Sequence, residues 1–305
     1  MGPTASGKTA LALALAERAG GEIVNADAMQ VYRDLRVLTA RPTPEDEARA
    51  PHHLFGHVDP ASRYSVARWL AEAAPCIEDI QARGRTPIVV GGTGLYFKAL
   101  TEGLADAPEA PEVRARLAAR LAADGPQSLY AALAQVDPAA ASALSPRDGA
   151  RILRALEVWE TTGASILAMR ERTRPALAAE SWIGAALRPE RSAVYAAITA
   201  RFAAMVQDGA LEEARALMAR GLDPAASAMK AIGVGPLMAH LRGEISLERA
   251  RERSERDTRR YAKRQYTWIA GQMRRWPRIE SAALQNRLED VFALIRGVDP
   301  AFATI

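Results

Sequence analysis

Eight residues at the start, Gly2-Pro3-Thr4-Ala5-Ser6-Gly7-Lys8-Thr9, fit the spacing G-x-x-x-x-G-K-[ST] of a phosphate-binding loop. Glycines let such a loop curl so that amide N–H groups and the N-terminus of the following helix converge on phosphate oxygens. Lys8 adds a mobile positive charge, and the Thr9 hydroxyl is the group this motif offers to Mg²⁺. Nucleotide hydrolases with this loop usually end a neighbouring apolar strand in a metal-holding Asp. Here the candidate strand, Pro87 to Val90, runs into Gly91-Gly92-Thr93-Gly94 with no carboxylate. The first acid near the loop is Asp27, in Asn25-Ala26-Asp27-Ala28-Met29-Gln30-Val31-Tyr32. Strand ends share one edge in a parallel sheet, which would bring Asp27 and Thr93 to the phosphates. Alone, Asp27 reads equally well as a turn former or helix cap. Convergence with Thr93 and the loop favours a functional carboxylate.

Positioning these groups requires strands and helices in alternation. Helix formers from Ala10 to Arg18 stop at Gly20-Gly21, Glu22 to Asn25 reads as a strand, and Ser65 to Arg83 has helical apolar spacing. Pro87 to Val90 reads as a buried parallel strand. The expected fold class is therefore α/β, a P-loop NTPase-like parallel sheet flanked by helices. From about Ala105 the strand signal fades and Ala-Leu-Arg helices follow: Glu112 to Ala123, Ser128 to Gln135 and Arg147 to Thr161. This predicts an inserted all-helical domain over 105–189, with 1–104 and 190–305 forming the core. Ser181 to Leu187 is read as a strand returning to the sheet, and Ser246 to Met273 as a long helix. The strand expected just before the phosphate loop is not in the sequence as it starts at Met1, which would leave the sheet without its central strand.

The 305 residues are 49% hydrophobic and 25% charged, globular values that exclude a disordered or collagen-like chain. A single cysteine, Cys76, excludes a disulfide framework and suits a reducing cytoplasm. No apolar run is long enough to cross a bilayer and no export signal opens the chain, so a cytoplasmic location and no membrane partner are expected. Net charge is only +4, but between Arg249 and Arg278 eleven Arg or Lys stand against three acids. Arg256, Arg260, Lys263 and Arg264 are spaced to share a helix face, where a polyanion could be gripped. A solvated basic helix explains the same spacing equally well. His52, His53 and His57 have no Cys or acid at ligand spacing and read as structural or surface residues.

At this point the sequence resembles the tRNA dimethylallyltransferases, the bacterial type of the IPP transferase family. The resemblance runs over nearly the whole chain. It is carried by GPTASGKT at 2–9, DAMQVY at 27–32, GGTGLYFKAL at 91–100, RILRALEV at 151–158, KAIG at 230–233 and YAKRQYTW at 261–268. It implies transfer of a dimethylallyl group from its diphosphate to N6 of the adenosine just 3′ of the tRNA anticodon, with Mg²⁺ as cofactor. It further implies that Asp27 is the catalytic base, with Thr93 and Arg201 beside it. Residues 2–9 would cradle the diphosphate. Asp27 to Gln30, Thr93, Arg114, Ala150-Arg151-Ile152-Leu153-Arg154 and Lys230-Ala231-Ile232-Gly233-Val234-Gly235 would contact the tRNA anticodon stem-loop. From spacing alone, Arg114 and Arg201 are ordinary helix arginines. The expected working unit is a monomer.

Diphosphate is then the leaving group, no bond is made to phosphorus, and the missing strand-end carboxylate is no deficiency. Two departures stand out: Ala28 follows Asp27 where Ser is common, and Val234-Gly235 stands where many members carry Tyr-Arg. Nothing resembles the zinc finger of the eukaryotic type. The competing readings are a transferase that alkylates free adenine nucleotides and a P-loop small-molecule kinase.

Overall fold

The computed structural model describes residues 1–105 and 107–298; Asp106 and 299–305, assigned above to the insertion and the core, lie outside the described residues. The chain divides into two compact units, Met1–Lys98 with Leu177–Ile305, and Ala99–Ala176. The insertion expected over 105–189 thus differs at its ends, and 177–189 belongs to the first unit.

In the first unit, α1 (Lys8–Ala19), β1 (Gly21–Asn25), α2 (Pro44–Arg49), β2 (His52–His53), α3 (Val66–Ala82) and β3 (Thr86–Val90) come first, and α4 (Gly94–Glu102) leads out of it. The strands form a parallel sheet in the order β2-β1-β3. Ile23, Ile88 and Val90 pack on Ala12, Leu13 and Ala16 of α1, because alternate strand residues share a face. The Ser65 hydroxyl caps α3, and Trp69, Ala73, Ile77 and Ile80 make its buried stripe.

The returning strand is shorter than its apolar pattern. Only Ala186–Leu187 (β4) is extended, and it pairs with Arg278–Ile279 (β5) in a separate two-stranded sheet rather than rejoining β1 and β3. The main chain of Met1 and Gly2 links the two sheets. Gly2 N–H donates to Gly91 O at 3.3 Å, and Leu187 N–H donates to Met1 O at 2.8 Å. Between and beyond these strands run α9 (Arg191–Gln207), α10 (Ala210–Ala219), α11 (Val234–Leu241), α12 (Leu247–Gln272) and α13 (Leu284–Val298).

The second unit is helical: α5 (Pro111–Val136), α6 (Pro138–Ser142), α7 (Gly149–Thr162) and α8 (Ile166–Glu171). The two helices read at 112–123 and 128–135 are the arms of α5, which breaks at Gly125 (φ 77°, ψ 173°) before Pro126. Leu117, Leu129, Leu133, Ile152, Leu156 and Val158 fill the core between α5 and α7. Among the described residues, no helix is long and apolar enough to cross a membrane.

Candidate active site

The phosphate loop takes the conformation its glycines allow. Gly7 sits at φ +81° as the residue before α1, and Ala5 is held at φ +59°. A turn closes from Ser6 N–H to Pro3 O at 3.2 Å. Ser6 is only 3% exposed, and its hydroxyl has no protein partner. Lys8 folds back toward the loop, with Nζ 3.5 Å from Pro3 O. Burial pulls its ammonium down to about 8; Asp27 opposes the shift and Arg201 adds to it. Thr9 follows in the first turn of α1, half-buried.

The ends of β1 and β3 supply the second side of the site. Gly91 touches the β1 end so closely that a Cβ there would lie 2.0 Å from Ala26 O, which explains the missing side chain. Asn25, fully buried, holds the acidic turn: its Oδ1 accepts from Asp27 N–H at 2.8 Å and its Nδ2 donates to Asp27 O at 3.0 Å. Asp27 Oδ1 accepts from Met29 N–H at 3.0 Å. Thr93 Oγ1 accepts from Ala28 N–H at 2.9 Å, so the two sequence motifs are joined directly. Beneath them Trp69 stacks on Tyr96 at 4.4 Å and donates its indole N–H to Asn25 O at 2.7 Å.

Arg201 of α9 completes the cluster, its guanidinium donating to Thr4 Oγ1 at 2.6 Å. Burial lowers its pKa, with Asp27 opposing. A cavity opens among Thr4, Asp27, Arg201 and Tyr261, and continues between Leu38, Ile198, Phe202 and Ile232. Its lining therefore combines charged groups with apolar side chains. Tyr261 is pushed above the usual phenol range by burial first and by Asp27 second.

The structure brings the loop, Asp27, Thr93 and Arg201 together but uses several other expected contact residues internally. Gln30 is buried, and its amide donates to Thr39 O and Ala40 O, both at 2.9 Å. Ile152 and Leu153 lie in the helical core, and Ala231 and Val234 are also buried, so these side chains are not available to an RNA surface. Ala150, Arg151, Lys230 and Gly235 are exposed, and Ala28, Met29 and Ile232 are half-buried. Gly233, at φ +97°, turns the chain into α11. Arg114 of α5 and Arg154 of α7 hold the fully buried Glu157 of α7 at 2.8 and 3.0 Å, and the Arg114 bond ties α5 to α7. On α12, Arg256 and Arg260 each lie 3.5 Å from Asp257, and Arg264 stands over the Tyr261 ring. The basic face is thus partly neutralised and the aromatic residue adjoins it.

Gln265 was not singled out by its spacing. It is 3% exposed, its Oε1 accepts from Thr4 N–H at 2.8 Å, and its Nε2 donates to Gly92 O at 2.9 Å. One amide from α12 thereby clamps the phosphate loop to the Gly-Gly-Thr-Gly turn. Its place in YAKRQYTW was the available signal. No group of three or more His, Cys, Asp or Glu side chains among the described residues forms a metal cluster.

A parallel sheet whose strand ends gather a lysine-bearing phosphate loop, an acidic turn and a threonine turn defines a P-loop α/β protein. A family model described as IPP transferase matches residues 30–273, and one described as isopentenyl transferase matches residues 1–50. The chain belongs to the IPP transferase family. A tRNA dimethylallyltransferase of Phenylobacterium zucineum is 55% identical over 300 residues, 98% of this chain and 97% of the relative. That of Nitrobacter hamburgensis is 56% identical over 288 residues, 93% and 91% of the two chains. The crystal structure of a tRNA isopentenylpyrophosphate transferase from Bacillus halodurans superposes with a TM-score of 0.70 at 34% identity, covering 99% of this chain and 96% of that one. A eukaryotic dimethylallyltransferase acting on tRNA gives a TM-score of 0.75 at 30% identity, over 88% of this chain and 68% of its own.

Proposed function

We propose that this chain transfers a dimethylallyl group from dimethylallyl diphosphate to N6 of the adenosine just 3′ of the anticodon in tRNA. The observation that carries the reading is the cavity lined by Asp27, Arg201 and Thr4 together with the apolar Leu38, Ile198, Phe202 and Ile232. A diphosphate suits the charged lining, where Arg201 reaches Thr4 beside the phosphate loop, and a five-carbon chain suits the apolar lining. N6 attacks the first carbon of the prenyl group as the carbon–oxygen bond to diphosphate breaks. The N6 proton passes to Asp27, which lines the cavity, and diphosphate departs with the bonding pair. Lys8, Arg201 and the loop N–H groups stabilise the charge that develops on it.

The residues present fit Mg²⁺ bound together with the diphosphate. Thr9 would supply one hard oxygen, no carboxylate cluster forms among the described residues, and such an ion usually takes most of its ligands from phosphate and water. When bound, it would neutralise leaving-group charge, with Thr9 as its protein ligand. Extruding the base from a single-stranded loop costs a few kcal/mol, offset by contacts to the RNA elsewhere. Those contacts fall to the exposed and half-buried members of the motifs, among them Met29, Arg151, Lys230 and Gly235, while Arg114 and Arg154 order the helix that presents Ala150 and Arg151. A monomer suffices for this chemistry.

The test is incorporation of the labelled five-carbon unit into an unmodified anticodon stem-loop, with AMP as the competing acceptor. Labelling of the stem-loop and not of AMP is expected. Labelling of AMP alone would assign the chain to nucleotide alkylation, and nucleotide turnover without the allylic donor would make it a kinase.

A further inference from the structure

We infer that Arg287, on the C-terminal helix α13, is a positioning residue of the phosphate loop, holding the Ser6–Gly7 peptide so that its N–H faces the diphosphate. Arg287 Nη1 donates to Ser6 O at 2.6 Å, while its Nε donates to Ser281 O, also at 2.6 Å. The guanidinium is therefore anchored on its own side before it reaches the loop. Ser6 C=O and Gly7 N–H belong to one planar trans peptide and point in opposite directions. A charged donor that fixes the carbonyl outward fixes the N–H inward, toward the anion, and polarises the peptide so that this N–H donates more strongly.

Gly7 fits the arrangement from the other side. A Cβ at this position would lie 2.7 Å from Arg287 Nη1, and the residue already sits at φ +81°. The contact lies outside what the family match covers, because the IPP transferase model stops at residue 273. Helix α13 has its own seating: Leu288 and Phe292 pack with Leu11 and Leu187, and Glu289 pairs with Arg18 at 3.0 Å. Docking of the helix and bracing of the loop are therefore separable by mutation.

This inference rests on the diphosphate reading of the loop, and the experiment separates the two. Inorganic pyrophosphate with Mg²⁺ is titrated calorimetrically into the full chain and into Lys8→Ala, Arg287→Gln, Arg287→Lys and Glu289→Gln. Arg287→Gln is expected to weaken pyrophosphate about tenfold or more, the scale of a lost charge-assisted hydrogen bond. It should raise KM for the prenyl donor while leaving kcat at saturating donor within about twofold. Arg287→Lys should recover part of the affinity. Glu289→Gln, which removes the α1–α13 ion pair and leaves the loop contact, should bind as the parent does. Parent-like binding by Arg287→Gln, or an equal loss in Glu289→Gln, reduces Arg287 to a helix anchor and overturns the inference. If Arg287→Gln does not fold, Arg287→Met, which keeps the aliphatic stem and removes the donor, decides, and parent-like affinity in that protein overturns the inference too. Failure of the parent to bind pyrophosphate, or parent-like binding by Lys8→Ala, instead sinks the diphosphate reading itself.

Discussion

Asp27 is held by three hydrogen bonds to its main chain and one carboxylate oxygen, which leaves the other oxygen for a substrate. Asp27→Asn keeps the shape and removes the proton acceptor. Single-turnover rates should fall about 10²- to 10⁴-fold with tRNA affinity little changed; an equal loss of tRNA binding would remove Asp27 from the chemistry. Lys8 makes a second prediction. Burial holds its folded-state pKa at about 8, below the ordinary lysine value of 10.5, so the free protein loses this charge as pH rises through that point. An arriving diphosphate favours the charged form, so binding above pH 8 must draw in a proton and weaken, by at most about tenfold per pH unit. Calorimetry in buffers of different ionisation enthalpy at pH 8.5 should show more proton uptake for the parent than for Lys8→Arg. Equal uptake in the two proteins would show that Lys8 is not the titrating group.

At the scale of elements, the site is a junction of five pieces distant in sequence: the loop before α1, the end of β1, the end of β3, α9 and α12. Gln265 joins two of them through a single side chain. Gln265→Leu keeps the volume but leaves Thr4 N–H and Gly92 C=O without that partner. Each orphaned group costs about 1–3 kcal/mol. Thermal unfolding should therefore shift down, and KM for the prenyl donor should rise as the loop loosens; an unchanged KM would show that the clamp serves stability alone. The sequence pattern revealed α1, β1, α3 and β3 because each has a buried face with its own period. It missed the two-residue strands β2 and β5, which are too short for any period. It overextends β4, because Trp182 and Ile183 are apolar like strand residues although extended pairing begins only at Ala186.

Across the whole molecule, each unit has its own core, and in the helical unit the buried Glu157 carboxylate joins two helices. Glu157 has no solvent exposure and is met by Arg114 and Arg154, which are themselves partly exposed. Glu157→Ala should destabilise this unit toward the lower end of the about 3–5 kcal/mol seen when a buried pair is broken. Hydrogen exchange would locate the loss in α5 and α7. Faster exchange spread evenly over α1, β1 and β3 as well would contradict a local role.

The sequence by itself determined the class of chemistry. Glycine spacing, Lys8 and Thr9 are read locally, since a phosphate loop is built from consecutive backbone amides, and Asp27 and Thr93 could be placed beside it because parallel strands end on one edge. Only the tertiary structure decided which residues hold that arrangement. Gln265 and Arg287 reach the loop from 261 and 281 residues away in sequence. No local pattern encodes such contacts, because they exist only once packing has set the distances between helices and strands. The same physics withdrew Gln30, Ile152, Leu153, Ala231 and Val234 from the surface. A motif specifies residue types along the chain, whereas burial depends on what the rest of the chain lays over them.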